Sequence, residues 1–203
     1  TQKGTPTMSI EIRDARIDDI PHLAYVSMQA SGGVYEALYE GAIPGREPQL
    51  IIEHRFSRLN TTSSFANCSI VESHGEVIGG LHGHPADASA NDPRDPLMRQ
   101  DRLHLVTPFV ELPAPSGSYY VSSIGFYPNH RSHGYGRRLM QEAENAAQSD
   151  QLAKMSLHVF AENRNAVSLY QSIGYEEIGR RPVVTHPLIR YEGDLLLMAK
   201  PLH

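Results

Sequence analysis

Two glycines stand one residue apart among basic residues in the stretch RSHGYGRRL, which begins at Arg131. A glycine turn that opens a helix can bind an anion, because unpaired backbone N–H groups and the positive end of the helix dipole meet there. Gly134 and Gly136 permit a sharp turn without a Cβ clash, so successive N–H groups can point at several acceptor oxygens. Arg131 and Arg137 can add positive charge, whereas Arg138 fits the solvent-facing side of the helix equally well. The spacing predicts an anion site and leaves the anion open.

The amino-acid composition limits which classes of ligand that site can bind. The chain has 203 residues, which fits one domain, and its 18 Lys and Arg residues against 23 Asp and Glu residues give a formal charge of -5. This balance argues against nucleic acid or an anionic membrane as a general partner. The single cysteine, Cys68, cannot form an internal disulfide, and no charged and then apolar leader opens the sequence, so we expect a reducing, cytoplasmic setting. For Cys68 itself we expect the role of a small buried apolar residue.

The elements around the glycine turn follow the order strand, helix, strand, helix. The stretch YYVSSIGF from Tyr119 is typical of a strand, and KMSLHVF alternates as a second strand does. Four positions of the helix after the turn share one face and should pack inward: Tyr135, Leu139, Ala143 and Ala146. Four positions of the next helix should do the same: Ala166, Leu169, Tyr170 and Ile173. Asn163 can cap this last helix, and Gly174 can end it.

The rest of the chain supplies a hairpin, two earlier helices and further strands. SIEIRDA is typical of a first strand, Asp18 can cap a helix after it, and Pro48 suits the first turn of a second helix. CSIVESHGEVIGGLHGH holds two apolar runs around a turn and predicts an antiparallel hairpin, and EEIGRRPV and DLLLMAK predict two last strands. Residues 85–117 contain six prolines and indicate an insertion or a long loop on the substrate side. We interpret residues 1–7 as a disordered tail or a remnant of expression, and residues 8–203 as a single domain.

Two blocks of this sequence carry a resemblance to a known family. The first block, IGFYPNHRSHGYGRRLM, follows the pattern apolar-x-apolar-x-Pro and then R/Q-x-x-G-x-G/A, met by Ile124, Phe126, Pro128, Arg131, Gly134 and Gly136. The second block, NRNAVSLYQSIGY, follows N-x-x-A-x-x-L-Y-x-x-x-G-F/Y, met by Asn163, Ala166, Leu169, Tyr170, Gly174 and Tyr175. In this order and spacing the blocks resemble the acetyl-CoA-binding core of the GCN5-related N-acetyltransferase (GNAT) superfamily. Ser132 and His130 depart mildly from the pattern, since glycine and an aromatic residue are frequent at those positions.

The resemblance implies a fold. It is an α/β fold with a mixed, mostly antiparallel central sheet of about six to seven strands and about four flanking helices. Strands 4 and 5 of the sheet would splay apart in a V, which would leave the backbone from Ile124 to Phe126 free to pair with the pantetheine arm of a bound acyl-CoA.

The resemblance also implies an activity. The protein would be an N-acetyltransferase that moves an acetyl group from acetyl-CoA to a primary amine by direct attack on the thioester, with acetyl-CoA as co-substrate and without a metal. The implied cofactor-binding residues are Ile124, Gly125, Phe126, Arg131, Ser132, His133, Gly134, Tyr135, Gly136, Arg137 and Asn163. The backbone N–H of Phe126 would face the thioester carbonyl, and Tyr170 would protonate the leaving thiolate. On the residues alone, Tyr170 also fits a core position of an amphipathic helix.

The acceptor side of the predicted site is less defined. The attacking amine must lose a proton to a base or a water chain, and the base candidates on or near central strands are Glu72, His82, His84, Glu111 and His158. In the connector after the first helix, an acidic and aromatic set would suit a cationic amine: Tyr35, Tyr39, Glu40 and Glu47. From both sets we select five substrate-contact candidates: Tyr35, Tyr39, Glu72, His82 and His158. A small amine, an amino acid, an antibiotic and a protein all stay open as acceptors, and the resemblance allows a homodimer.

Several other functions compete for these residues. A dinucleotide-binding or P-loop enzyme lacks its glycine pattern here, and a hydrolase lacks G-x-S-x-G. His82 and His84 form an H-x-H pair, but no third ligand is evident in the sequence, so we favour a pocket or packing role over a metal site. A non-catalytic acyl-CoA-binding module, acting as a sensor or regulator, shares every cofactor feature and is the alternative to the enzyme.

Overall fold

The computed structural model describes residues 10–131 and 133–202. The predicted tail at residues 1–7 and the predicted cofactor contact of Ser132 lie outside the described residues. The strands are β1 (Ile10–Asp14), β2 (Cys68–Ser73), β3 (Glu76–Pro85), β4 (Ser118–Phe126), β5 (Lys154–Phe160), β6 (Glu176–Pro182) and β7 (Asp194–Pro201). They form one sheet in the order β1-β2-β3-β4-β5-β7-β6, in which only the β4–β5 pair is parallel. This confirms the predicted mixed, mostly antiparallel sheet.

Long helices flank the sheet where the sequence predicts them, and two short helices were not predicted. The helices are α1 (Ile20–Ala30), α2 (Val34–Tyr39), α3 (Pro48–Phe56), α4 (Thr107–Glu111), α5 (Tyr135–Ser149) and α6 (Arg164–Ser172). The short ones are α2 and α4. Within the part of the chain that the structure describes, no helix is both long enough and apolar enough to cross a bilayer.

The central feature of the sheet is the separation of β4 from β5. The two strands pair only from Ser118 to Val121 on β4 and from Lys154 to Leu157 on β5. Beyond this point β4 continues along β3 as far as Phe126, while β5 continues along β7. The backbone edges of β4 and β5 therefore diverge and leave an opening between the two halves of the sheet, as the predicted V-shaped splay requires.

Helices cover both faces of the sheet, and each face has its own core. On one face, α5 and α6 pack on the central strands through residues such as Leu139, Met140 and Tyr170. On the other face, α1, α2 and α3 enclose a second core around Leu23, Tyr39 and Phe56. The splay lies between these two helix layers, so residues from both layers can reach it.

The buried stripe of α5 differs from the predicted one. Ala143 is buried as expected, but Ala146 is exposed and Ala147 is fully buried. The stripe is rotated because it also includes Glu144, which is only 6 % exposed and accepts two hydrogen bonds of 2.8 Å from Lys200 Nζ. Sequence patterns place charged residues such as Glu144 on the solvent side of a helix. Glu144 is buried because it is paired with Lys200 on β7, a partner far away in the sequence.

The proline-rich segment 85–117 is folded against the α2 side of the molecule. It contains 3-10 helices at Ala86–Asn91 and Gln100–Val106, followed directly by α4. The backbone N–H of Arg99 donates to the carbonyl of Leu38 in α2 at 3.2 Å, and Leu105 is buried in the second core. The segment therefore forms part of the wall around the opening.

Candidate active site

The splay opens into two cavities that share part of their lining. An outer groove of about 510 Å³ runs along the end of β4 and the start of α5. An inner cavity of about 290 Å³ lies deeper, between β4, β5 and the α1–α3 layer. Four residues line both spaces: Ala30, Ile124, Asn163 and Ala166. A ligand in the groove can therefore extend into the inner cavity.

The outer groove collects most of the predicted cofactor residues. Nine of them line it: Ile124, Gly125, Phe126, Arg131, Gly134, Tyr135, Gly136, Arg137 and Asn163. His133 does not line it; its ring is exposed and stacks on Tyr135 with centroids 5.5 Å apart. Arg190 and Tyr191, from the loop between β6 and β7, add to the lining and were not predicted to do so.

Each glycine of the turn has its own structural reason. Gly134 is the N-cap of α5 and has φ of 79°, a left-handed conformation that glycine adopts without strain. Gly136 lies in the first turn of α5, and a Cβ there would meet Leu169 Cδ2 of α6 at 3.1 Å. The first N–H groups of α5 have no partner within the helix, so the missing side chains leave them open to a ligand in the groove.

Arginines surround this end of the groove. Arg131 Nε donates to the carbonyl of Phe126 at 3.1 Å, and Arg137 Nη2 donates to Ser172 Oγ at 2.9 Å. Arg190 donates to the carbonyl of Gln29 at 2.8 Å. These contacts leave further N–H donors on each guanidinium, since each carries five.

The backbone of β4 presents donors to the splay. The N–H of Tyr127 donates to the carbonyl of Ile78 at 2.9 Å, so it points toward β3. Because N–H groups alternate in direction along a strand, the N–H groups of Phe126 and Ile124 point the other way, into the splay. The register with β3 is regular over this stretch, which supports the alternation.

Tyr170 of α6 and Asn163, the residue before α6, line the inner cavity. The Tyr170 ring is only 6 % exposed and packs against Tyr175 with centroids 5.8 Å apart. Burial raises the pKa of Tyr170 to about 12, so its hydroxyl is protonated at neutral pH. Asn163 Oδ1 accepts from the backbone N–H of Ala166 at 3.4 Å, which confirms its capping role.

Tyr120 of β4 and His158 of β5 are hydrogen-bonded to each other near the point where the two strands begin to separate. Tyr120 Oη lies 2.9 Å from His158 Nδ1, and His158 Nε2 lies 2.8 Å from the carbonyl of Leu112. A carbonyl only accepts, so Nε2 carries the proton and Nδ1 accepts from Tyr120. Burial lowers the pKa of His158 and raises the pKa of Tyr120, so both groups are neutral at neutral pH. Both line the inner cavity.

Arg55 of α3 also lines the inner cavity. Its Nη1 donates to Tyr39 Oη at 2.6 Å, its Nη2 donates to Ser63 Oγ at 3.1 Å, and its Nε lies 3.4 Å from Asp95 Oδ2. The guanidinium carbon lies 5.6 Å from the centroid of the Tyr35 ring, which also lines the cavity. Nothing in the sequence pattern of α3 had indicated this residue.

The remaining predicted acceptor residues do not reach the cavity. Tyr39 is fully buried behind Arg55 and bonds to Asp95 Oδ2 at 2.8 Å. Glu72 on β2 pairs with Arg13 on β1, at the far edge of the sheet. His82 Nε2 lies 2.8 Å from the carbonyl of Thr62, and burial lowers the pKa of His82 to about 4. Among Tyr35, Tyr39, Glu72, His82 and His158, only Tyr35 and His158 line the cavity.

The other candidates are also placed elsewhere. Glu40 pairs with Arg102, Glu111 pairs with Arg181, and among the described residues no Asp or Glu side chain lines the inner cavity. Cys68 is buried, as expected. Over residues 10–131 and 133–202, no three His, Cys, Asp or Glu side chains are grouped so that they could hold a metal ion.

Comparison with known proteins points in the same direction as the geometry. A model of the acetyltransferase (GNAT) family matches residues 34–175. An uncharacterized N-acetyltransferase of Bacillus subtilis, YycN, is 35% identical over 63 residues, which are 31% of this chain and 40% of that protein. N-alpha-acetyltransferase RimI of Mycobacterium tuberculosis is 34% identical over 67 residues, 33% of this chain and 40% of that protein. The matches thus span less than half of the length of either relative.

A solved structure extends the likeness to the whole fold. A crystal structure of an acetyltransferase superposes with a TM-score of 0.69 at 18% identity, and the match covers 95% of this chain and 100% of that one. At this identity the likeness concerns the fold alone. It includes the flanks on either side of the stretch that the family model matches.

Proposed function

This chain belongs to the acetyltransferase (GNAT) family, and from that premise we propose that it transfers an acetyl group from acetyl-CoA to a primary amine by direct attack on the thioester. The observation that carries the proposal is the junction of the two cavities at Ile124 and Asn163. On the outer side of this junction are backbone donors and arginines that suit a polyphosphate. On the inner side are groups that can exchange protons with an amine and a thiol.

The groove residues fit the pyrophosphate and the pantetheine arm of acetyl-CoA. The open N–H groups at the start of α5 would donate to phosphate oxygens, and the Gly134 conformation and the missing Cβ of Gly136 keep the approach clear. Arg131 and Arg137 would add charge-assisted bonds. The free edge of β4 would pair with the amide groups of the arm as an added strand does.

The N–H of Phe126 would stabilise the oxyanion. When an amine attacks the thioester carbon, negative charge develops on the carbonyl oxygen, and a fixed donor that points at this oxygen lowers the barrier. A backbone donor in a regular strand is already oriented before the reaction, so it loses little entropy on binding. The direction of the Phe126 N–H into the splay suits this role.

Proton transfer on the two sides of the reacting carbon would use different residues. On the amine side, Tyr120 Oη accepts a proton from the attacking nitrogen while it passes its own proton to His158 Nδ1. The bond from His158 Nε2 to Leu112 holds the ring in the required tautomer. On the thiol side, the C–N bond has formed in the attack, and Tyr170 donates a hydrogen bond to the departing sulfur as the C–S bond breaks.

Release of free thiol from acetyl-CoA tests the function directly. The purified protein is incubated with acetyl-CoA and one amine at a time from four classes: small amines, amino acids, aminoglycosides and unblocked peptides. Calorimetry measures acetyl-CoA binding on the same sample. Amine-dependent thiol release with an N-acetyl product supports the enzyme. Binding of acetyl-CoA without turnover of any amine class favours the alternative, a non-catalytic acyl-CoA-binding module. Absence of both binding and turnover overturns the proposal.

The cytoplasmic setting, the absence of a metal and the homodimer stay predictions.

A further inference from the structure

The described side chains that line the inner cavity carry a positive charge and no negative charge. Most of its described lining is apolar or neutral, including Val34, Val106 and Phe109, and Arg55 is the only described lining residue that is fully charged at neutral pH. No described Asp or Glu side chain lines the cavity. A polycationic acceptor would therefore meet a positive charge and no counter-ion, which is costly in a partly desolvated space.

The guanidinium of Arg55 faces the cavity, whereas its ion-pair partner Asp95 does not. Its partner Asp95 is 8 % exposed at the side chain and is absent from the cavity lining, so the carboxylate lies behind the guanidinium. Among the described residues, Tyr39 accepts from Nη1 of Arg55 and Ser63 accepts from Nη2, while Asp95 is ion-paired with Nε at 3.4 Å. One donor is left on each terminal nitrogen, and a carboxylate can accept from both.

We propose that the acceptor is a small primary amine that carries a carboxylate, and that Arg55 binds this carboxylate. The inference rests on the proposed function, since it assigns the acceptor of the same reaction. The amine would lie at the Tyr120 end of the cavity and the carboxylate at Arg55. A cavity of about 290 Å³ is at the lower end of the range for small-molecule pockets, which favours an amino-acid-sized acceptor.

The wall of the cavity supports a small acceptor over a protein N-terminus. Met98, Val106 and Phe109 from the 85–117 segment line the cavity opposite β4 and β5. Arg99 and Arg102 tie this segment to α2 through bonds to the carbonyls of Leu38 and Ala37. A folded protein would have to displace this wall to bring its N-terminus to Tyr120, whereas an amino acid would not.

Paired substrates test the inference. Each pair consists of an amino acid and the amine that lacks its carboxylate: leucine and isopentylamine, phenylalanine and phenethylamine, γ-aminobutyrate and propylamine. Thiol release gives kcat/KM for each member. We expect the wild-type protein to prefer the carboxylated member of at least one pair by about 10- to 100-fold, the range of a hydrogen-bonded charge. Arg55→Met should reduce this preference to about 1, chiefly through KM, and Arg55→Lys should retain part of it.

A matched control separates this effect from general damage. Arg13 is ion-paired and 16 % exposed at the side chain, against 17 % for Arg55, but it lies on the edge strand β1 and lines neither cavity. Arg13→Met should keep the wild-type preference. Protection from thermal unfolding by acetyl-CoA checks that each variant is folded, because the groove does not include either arginine.

The outcomes are distinguishable from failure of the proposed function. Equal kcat/KM for both members of every pair, a preference for the plain amines, or turnover on unblocked peptides alone would overturn the carboxylate site while leaving the acetyltransferase intact. If no amine of any kind releases thiol, the proposed function fails. In that case the carboxylate site is still tested by thermal protection with leucine plus CoA, and equal protection of wild type and Arg55→Met overturns it.

Discussion

Replacing Tyr170 by Phe removes one hydroxyl from the inner cavity and little else. The ring packs against Tyr175 and belongs to the core under α6, so the phenyl group keeps these contacts. The groove does not include Tyr170, so acetyl-CoA binding should be unchanged. The variant therefore isolates the proposed donation to the leaving sulfur.

The size of the effect follows from the pKa of the hydroxyl. Burial raises the pKa of Tyr170 to about 12, while the reference value for a thiol is about 8.5. Complete proton transfer to a released thiolate would therefore be uphill by about 5 kcal/mol. Tyr170 should act mainly as a hydrogen-bond donor to the charge that develops on sulfur, and such bonds contribute about 1.5–3 kcal/mol. We expect kcat to fall by about 10- to 150-fold at unchanged KM for acetyl-CoA.

Tyr175→Phe is the matched control. Tyr175 is adjacent to Tyr170, but it does not line either cavity, and its buried hydroxyl has no hydrogen-bond partner among the described residues. This variant should keep wild-type kcat and should gain stability of about 1 kcal/mol, since it removes a buried polar group without a partner. Steady-state kinetics and urea unfolding measure the two quantities. Wild-type kcat in Tyr170→Phe, or an equal loss in both variants, would refute the role of Tyr170 as a hydrogen-bond donor to the leaving sulfur.

Three further predictions concern the turn, the core and the proton relay. Gly134→Ala and Gly117→Ala should each cost about 1 kcal/mol of stability, because both positions have a positive φ and open space for a Cβ. Only Gly134→Ala should weaken acetyl-CoA binding in calorimetry; equal affinities would contradict the glycine-turn site. Acidification from pH 6.5 to about 4 should remove about 3 kcal/mol of the free energy of unfolding, because the unfolded state takes up a proton that buried His82 does not. Urea titrations of His82→Gln should show a flatter pH dependence, and an unchanged slope would argue against this. Tyr120→Phe should lower kcat by about 100-fold, while Tyr119→Phe, outside the cavity, should not. In the wild type, kcat should persist below pH 6.5, because the lowered pKa of His158 keeps that base neutral there.

The donor side of the site could be predicted from the sequence because its parts are local. The end of β4, the glycine turn and the start of α5 are consecutive, and Asn163 follows one strand later. Backbone conformation and helix polarity determine what such a stretch can bind, and both can be inferred from glycine spacing and helix periodicity. The groove accordingly contains nine of the predicted residues.

The acceptor side could not be predicted in the same way, because it is assembled from distant segments. Arg55 is one of several polar residues on α3, and its place in the cavity wall depends on distant partners, Tyr39, Ser63 and Asp95, which hold its side chain. For the same reason, Glu40 is ion-paired with Arg102 of the 85–117 segment and does not line the inner cavity. Pairings across such long separations have no periodic signature in the sequence.

Because the groove and the inner cavity are built from different segments, the residues that bind acetyl-CoA and those that select the acceptor can change separately in this protein. The groove is formed largely by β4, α5 and α6, whereas the inner cavity also takes wall residues from α2, α3 and the 85–117 segment. Arg55 joins these three parts, because it bonds to Tyr39 on α2 and pairs with Asp95 in the segment. The residue that we infer binds the carboxylate therefore also helps to hold the wall that limits acceptor size. Substitutions in the segment can change the acceptor without touching the glycine turn, but those that release Asp95 should affect size selection and carboxylate binding together.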